Sequence, residues 1–182
     1  MLAVDRTCRD CMKSAAAALL VCMYLHETVL DRLQKRDFDV IGVGKIGDIF
    51  AMQGIEKSHP SHSNTEGMEI TRRIAAEDFC GLCFTNLVDF DMHYGHRQDA
   101  MGYARALNEF DAWLGDFLPC MQKDDVLIIT ADHGCDPSDD STDHTREFVP
   151  FLMIGDTVTP KNLGTVHGFD FVGETVYNYL TE

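Results

Sequence analysis

The residues best suited to chemistry are aspartates and histidines that follow two apolar runs of the chain. The runs are 83–88 (Cys-Phe-Thr-Asn-Leu-Val) and 126–129 (Val-Leu-Ile-Ile). Runs of this kind are typical of buried parallel strands, and ligands bind at the edge of the sheet where such strands end. Carboxylate oxygens and imidazole nitrogens are common ligands of divalent metals. The sequence therefore predicts a metal site formed by Asp91 and His96 after the first run and by Asp132, His133 and His144 after the second.

These ligands are more numerous than a single ion normally needs, which indicates a binuclear centre. Two divalent ions a few ångströms apart can clamp a phosphoryl group between them. Asp89 and His93, in the same segment as Asp91, are alternative ligands, and a structural hydrogen-bonding network is the competing interpretation. Lys45 and Arg146 are candidates for binding a phosphate group, because each lies beside a predicted strand end.

Composition excludes several classes of protein. The chain has 182 residues, of which 45% are hydrophobic, and a formal net charge of −15. Such a chain can bury a core, and its charge argues against nucleic-acid binding, which requires clustered Lys and Arg. The apolar run at 15–25 is too short to cross a bilayer as a helix. A signal peptide is the alternative interpretation of that run, but we expect a protein of the cytoplasm without a membrane partner.

The seven cysteines favour reduced thiols over a disulfide scaffold, because their number is odd. The pairs Cys8/Cys11 and Cys80/Cys83 have the spacing of zinc ligands. The second pair lies in a strand-like run, where residues three apart point to opposite faces of a sheet. We therefore interpret these thiols as small apolar core residues.

Strand-like and helix-like segments alternate along the chain, which predicts an α/β fold with a mostly parallel sheet flanked by helices. The long polar segment 132–147 favours a functional loop. The residues after the run 83–88 are likewise expected to form a loop. The predicted helices span about 28–35, 64–76, 99–118 and 168–180, and the predicted strands span 38–44, 79–88, 126–129 and 148–154.

Several blocks of the sequence together resemble the phosphopentomutase family of the alkaline-phosphatase-like superfamily. The most specific block reads Thr-Ala-Asp-His-Gly-Cys-Asp-Pro at 130–137 and continues as Thr-Asp-His-Thr-Arg-Glu at 142–147. The further blocks lie at 40–46, 48–55, 85–91 and 94–97. The resemblance extends from about residue 27 to the C-terminus, and residues 1–26 match no part of the family.

The resemblance implies an isomerase of nucleoside salvage that interconverts the 1- and 5-phosphates of ribose or deoxyribose, a small sugar phosphate. It also implies two divalent ions, which are Mn²⁺ in the family. Asp132 and His133 would bind one ion, and Asp91, His96 and His144 the other. Lys45 falls in a block near the substrate site of the family.

The family passes the phosphoryl group through a threonine in an N-terminal block, and no such block is visible here. We therefore expect the chain to be the C-terminal half of an incomplete catalytic core, without a catalytic nucleophile and inactive by itself. A missing N-terminal half is the expected partner. The alternatives are another metal-dependent phosphatase or phosphoglycerate mutase of the superfamily, or a non-catalytic metal-binding remnant.

Overall fold

The computed structural model describes the two-residue strand Leu2–Ala3 and residues 27–182. The strands are β1 (Leu2–Ala3), β2 (Asp39–Val43), β3 (Lys57–His59), β4 (Gly81–Thr85), β5 (Leu127–Thr130) and β6 (Phe151–Ile154). The helices are α1 (Val29–Gln34), α2 (Ile46–Ile49), α3 (Asn64–Ile74), α4 (Ala100–Phe117) and α5 (Asp170–Thr181). A π-helical turn spans Phe90–Gly95, and a short 3₁₀ turn, Leu118–Cys120, follows α4.

The six strands form one sheet in the order β3-β2-β4-β1-β5-β6. β2 pairs in parallel with β3 and β4, whereas β1 is antiparallel to both β4 and β5, and β6 is antiparallel to β5. Four strands, β3, β2, β4 and β5, therefore run in the same direction. The predicted α/β class with a mostly parallel sheet is confirmed, and the carboxyl ends of β4 and β5 lie at the same edge.

Helices cover both faces of the sheet because side chains alternate along each strand. On one face, α1 and α5 pack on Val40, Leu82 and Phe84. On the other face, α3 and α4 pack on Ile41, Val43, Cys83 and Leu127. The helices contribute buried side chains to the core on both faces. These are Leu30, Leu33, Val176 and Leu180 on the first face and Met68, Ile74, Trp113 and Phe117 on the second.

The predicted helices and strands are present, with local differences. Ser63, outside the predicted start of α3, accepts a hydrogen bond from the Glu66 amide as the N-cap. The short elements α2 and β3 lie between the predicted strand 38–44 and the predicted helix 64–76, where no element was predicted. On α4, helical periodicity predicts that Leu107 lies on the same buried face as Trp113, but Leu107 is 48% exposed.

Some predictions fall outside the described residues, namely those for the unmatched segment 1–26, its apolar run 15–25 and the pair Cys8/Cys11. Cys83 lies fully buried in the core, as its interpretation as a core residue requires. Among the helices that the structure describes, none combines the length and the hydropathy needed to span a membrane.

Candidate metal centre

The first pair of predicted ligands is carried by the π-helical turn that follows β4, not by a loop. Within this turn the His96 amide donates to the Asp91 carbonyl over 3.0 Å, a bond that spans five residues. In an α-helix, residues five apart differ by about 140° in direction, because one turn takes 3.6 residues. The wider π turn brings them to one face. As a result, His96 Nε2 lies 3.2 Å from Asp91 Oδ1.

The remaining predicted ligands lie on the loop that follows β5. The loop folds back on itself through a bridge between Gly134 and Thr145, in which the Thr145 amide donates to the Gly134 carbonyl over 3.0 Å. Thr145 Oγ1 also accepts from the Asp136 amide at 3.1 Å. These bonds bring His144 back to His133, and the two imidazole rings stack with centroids 3.5 Å apart and planes 11° apart.

The two segments meet at one carboxylate oxygen, Asp91 Oδ1. The Nε2 atoms of three histidines surround it, at 3.2 Å for His96, 3.5 Å for His144 and 4.0 Å for His133. Asp132 joins the group through Oδ1, which lies 3.6 Å from His133 Nε2. The structure thus brings together all five residues that the sequence singled out as ligands. Asp91, His96 and His144 can offer ligand atoms that all lie within 4.8 Å of one another.

Hydrogen bonds fix which ring nitrogens face the centre. His96 Nδ1 lies 2.6 Å from the Thr142 carbonyl oxygen, and His133 Nδ1 lies 3.0 Å from that of Gly134. Because a carbonyl only accepts, each Nδ1 must be the protonated donor, and in a neutral ring Nε2 keeps its lone pair. Carbonyl partners of this kind orient metal-binding histidines in many proteins.

A cation fits this arrangement of electron pairs. Asp91 Oδ1 is a buried oxygen with no hydrogen-bond partner in the described part of the chain, although histidine nitrogens surround it. Ligand atoms about 2.1 Å from one ion and about 90–110° apart lie about 3.0–3.4 Å from each other. The distances from Asp91 Oδ1 to His96 and His144 are close to this range, and that to His133 is longer. Asp91, His96 and His144 therefore fit one ion.

Comparison with known proteins agrees with this chemistry. A family profile described as the metalloenzyme superfamily matches residues 23–181. The chain belongs to the metalloenzyme superfamily.

The curated relatives it matches within this superfamily include phosphopentomutases. The chain is 48% identical to that of Lachnoclostridium phytofermentans over 85% of its length, and 52% identical to that of Syntrophotalea carbinolica over 82%. It is 50% identical to the phosphopentomutase of Acetivibrio thermocellus over 85% of its length. The resemblance predicted from the motifs is confirmed. These matches cover only 40%, 38% and 40% of the respective relatives, so the chain spans about two fifths of their length.

Asp89 and His93, the alternative ligands for this metalloenzyme centre, have other partners. The Asp89 amide donates to Asn64 Oδ1 over 2.9 Å, and Asp89 Oδ2 accepts from the Asn64 amide at 2.8 Å. His93 Nε2 lies 3.8 Å from Asp89 Oδ1. Asp89 therefore ties the end of β4 to the start of α3.

The two predicted phosphate-binding residues lie near different segments of the centre. Lys45 follows β2 and its Nζ contacts Met92 Sδ at 2.6 Å, one residue from Asp91. Arg146 is exposed on the β5 loop and lines a cavity of about 800 Å³. The same cavity is lined by Asp132 and His133.

Negatively charged side chains surround the centre and create a negative electrostatic potential there. Burial raises the pKa of the Cys135 thiol, and the neighbouring carboxylates of Asp91 and Glu147 raise it further. Burial also raises the pKa of Tyr103, with added contributions from Cys135 and Asp91. Both groups are therefore held in their neutral forms, and the negative potential favours cations at this edge of the sheet. Sequence reasoning did not single out Cys135, although its place in the motif Asp-His-Gly-Cys-Asp was a signal.

Proposed function

We propose that this chain forms the binuclear metal centre of a phosphopentomutase-type isomerase, which interconverts the 1- and 5-phosphates of ribose or deoxyribose. The observation that carries the proposal is the convergence of three histidine nitrogens on the buried oxygen of Asp91. The sequence identity of 48–52% to proteins named phosphopentomutase supports the choice of reaction. Such an enzyme would act on sugar phosphates of nucleoside salvage in the cytoplasm.

The residues present would hold two ions, for which we propose Mn²⁺. Asp91, His96 and His144 would bind one ion, and Asp132 and His133 the other. When bound, such a pair of ions stabilises the entering and the leaving oxygen of a phosphoryl transfer. Neutral histidines supply nitrogen ligands without adding negative charge, so the occupied centre would keep a net positive charge that attracts phosphate.

Lys45 and Arg146 would bind the phosphate oxygens from the two sides. A chain with a net charge of −15 repels anions at long range, so local cations are needed to hold a sugar phosphate. Arg146 can form two parallel hydrogen bonds to one phosphate, whereas Lys45 acts as a point charge. The cavity between Arg146 and the centre would accommodate the sugar.

Turnover would need residues outside the segment that the chain shares with its relatives. The family resemblance assigns phosphoryl transfer to a threonine for which none of the matched blocks provides a counterpart. We therefore expect this chain by itself to bind divalent ions and to show little mutase activity. Substantial conversion of ribose 1-phosphate by the purified chain would contradict this expectation.

The decisive experiment is a chimera. Residues 27–182 replace the matching segment of the phosphopentomutase from Syntrophotalea carbinolica, and conversion of ribose 1-phosphate to ribose 5-phosphate is measured with Mn²⁺. We expect turnover within about tenfold of the parent enzyme, because the ligand set is complete, and loss of turnover in the chimera that carries Asp91→Asn.

A folded chimera that binds Mn²⁺ but only hydrolyses phosphate esters would instead support a phosphatase. A folded chimera that binds Mn²⁺ without any turnover would support the non-catalytic alternative. Either outcome would overturn the proposed reaction. Calorimetric titration of the isolated chain with Mn²⁺ tests the metal centre independently of turnover, since it measures binding alone.

A further inference from the structure

The candidate metal centre is assembled from two segments that are distant in sequence. The π turn carries Asp91, His96 follows it directly, and the loop after β5 carries the other ligands. Among the described residues, hydrogen bonds between exposed groups join the two segments, from His96 Nδ1 to the Thr142 carbonyl and from Gln98 Nε2 to the Asp139 carbonyl. Bonds at such exposed positions exchange readily with water. A close packing contact between the two segments would fix the spacing of the ligands more firmly.

Such a contact joins the half-buried Cys135 to Gly95, the last residue of the π turn. Gly95 is buried, and a Cβ placed on it would lie only 2.4 Å from Cys135 Sγ. Real Cβ atoms do not approach other atoms this closely, so the thiol fills the place that a side chain at 95 would need. The same Cβ would lie 3.7 Å from Asp91 Oδ1, so the contact adjoins the oxygen on which the histidines converge.

Neither the Cys135 thiol nor the Gly95 backbone can move far without moving a neighbouring ligand. Cys135 Sγ is one bond from Cβ, and Cys135 lies only two residues after His133. Gly95 directly precedes His96 and closes the π turn, and a Cβ there would also lie 3.2 Å from the Phe90 carbonyl. A change of a few tenths of an ångström at this contact must therefore move Asp91 and His96 relative to His133.

We propose that Cys135 is a positioning residue, whose thiol, seated against Gly95, sets the spacing between the two ligand-bearing segments and thereby the affinity for divalent ions. Cys135 does not itself bind the ion; it acts through Asp91 and His96. The inference rests on the proposed metal centre. Groups that orient metal ligands typically change the affinity 10–100-fold when they are altered.

The test measures the Kd for Mn²⁺ by calorimetric titration of the whole chain, together with the melting temperature of the metal-free protein. We expect Gly95→Ala to weaken binding about 10–100-fold, because the added methyl group displaces the thiol. Removing the thiol in the double variant Gly95→Ala/Cys135→Ala gives the methyl group room, so it should recover most of the lost affinity. Gly115→Ala on α4 is the matched control, since a Cβ there meets no atom within 4 Å, and its Kd should equal that of the wild type.

A second variant approaches the contact from the other side, in case Gly95→Ala does not fold. Cys135→Leu adds volume at a contact where no methyl group fits, so it should weaken Mn²⁺ binding to a similar extent. Cys135→Ser keeps nearly the same shape, so its Kd should stay within about threefold of the wild-type value. A purely structural role would lower the melting temperature without rescue of the Kd in the double variant.

The outcomes separate the two proposals. If the folded wild-type chain binds no Mn²⁺, the proposed metal centre fails. If the wild type binds Mn²⁺ but Gly95→Ala and Cys135→Leu bind it equally well, the metal centre stands and the positioning role of Cys135 is refuted. A double variant that binds no more tightly than Gly95→Ala refutes it as well, because the coupling between the two sites would be absent.

Discussion

Replacing Asp91 by Asn removes the charge at the oxygen on which the histidine nitrogens converge, while the shape of the side chain is kept. The Asp91 side chain is 34% exposed, so its attraction to a cation is screened by water. With the dielectric constant of water, a carboxylate and a divalent ion about 2.1 Å apart attract by about 4 kcal/mol, a lower limit for this site. This free energy corresponds to a roughly 10³-fold weaker Kd for Mn²⁺ in Asp91→Asn.

The assay combines calorimetric titration with thermal melting. At a Mn²⁺ concentration 100 times the wild-type Kd, bound metal stabilises the fold by about 2.7 kcal/mol. For a chain of this size that free energy raises the melting temperature by roughly 5–11 °C. In Asp91→Asn the same concentration should leave the melting temperature within about 1 °C of that of the metal-free protein.

Asp111→Asn is the matched control. Asp111 is exposed on α4, and its substitution removes the same charge from the chain without touching the centre. We expect this variant to retain the wild-type Kd and the wild-type thermal shift. An Asp91→Asn variant that folds and binds Mn²⁺ as tightly as Asp111→Asn would refute the assignment of Asp91 as the central ligand.

Three further predictions concern the fold that holds the centre. Burial raises the pKa of the Cys83 thiol to about 12, so the reactive thiolate is scarce at pH 8. When the native protein is treated with iodoacetamide, peptide mass spectrometry should therefore find the exposed Cys120 labelled long before Cys83. Leu30→Ala in the core should lower the free energy of unfolding by about 2–5 kcal/mol in urea, whereas Leu107→Ala, at a half-exposed position, should change it far less. Ser63→Ala removes the N-cap of α3 and should lower the free energy of unfolding by about 1 kcal/mol in the same measurement. A urea midpoint equal to that of the wild type would contradict the prediction for Leu30→Ala or for Ser63→Ala. Equal labelling of Cys83 and Cys120 would contradict the first prediction.

The convergence of the candidate ligands could be predicted because it depends on local patterns. The apolar runs at 83–88 and 126–129 end in β4 and β5, and parallel strands place their carboxyl ends at one edge of the sheet. The aspartates and histidines after them are therefore expected at one edge of the sheet in any fold of this class.

Other features of the site could not be predicted, because they depend on contacts between distant segments. Nothing in the residues after Val88 distinguishes a π turn from a loop, since the turn is stabilised by its packing as well as by its own hydrogen bonds. The partners of Asp89 and Asp91 differ for a similar reason, because Asn64 of a neighbouring helix binds Asp89 and leaves Asp91 to the histidines. Leu107 was misplaced because helical periodicity cannot show how wide the covering surface is.

By itself, the sequence determined the type of the candidate ligands, the strands that they follow and the family to which the chain belongs, since these follow from residue identity and spacing. Only the tertiary structure decided that Asp91 Oδ1 is the shared centre, that His96 and His133 face it with Nε2, and that Cys135 is seated against Gly95. The physical reason is the precision with which the ligand atoms of a metal must be placed. Metal ligands must be placed within a few tenths of an ångström, and that placement arises from packing between segments far apart in the chain.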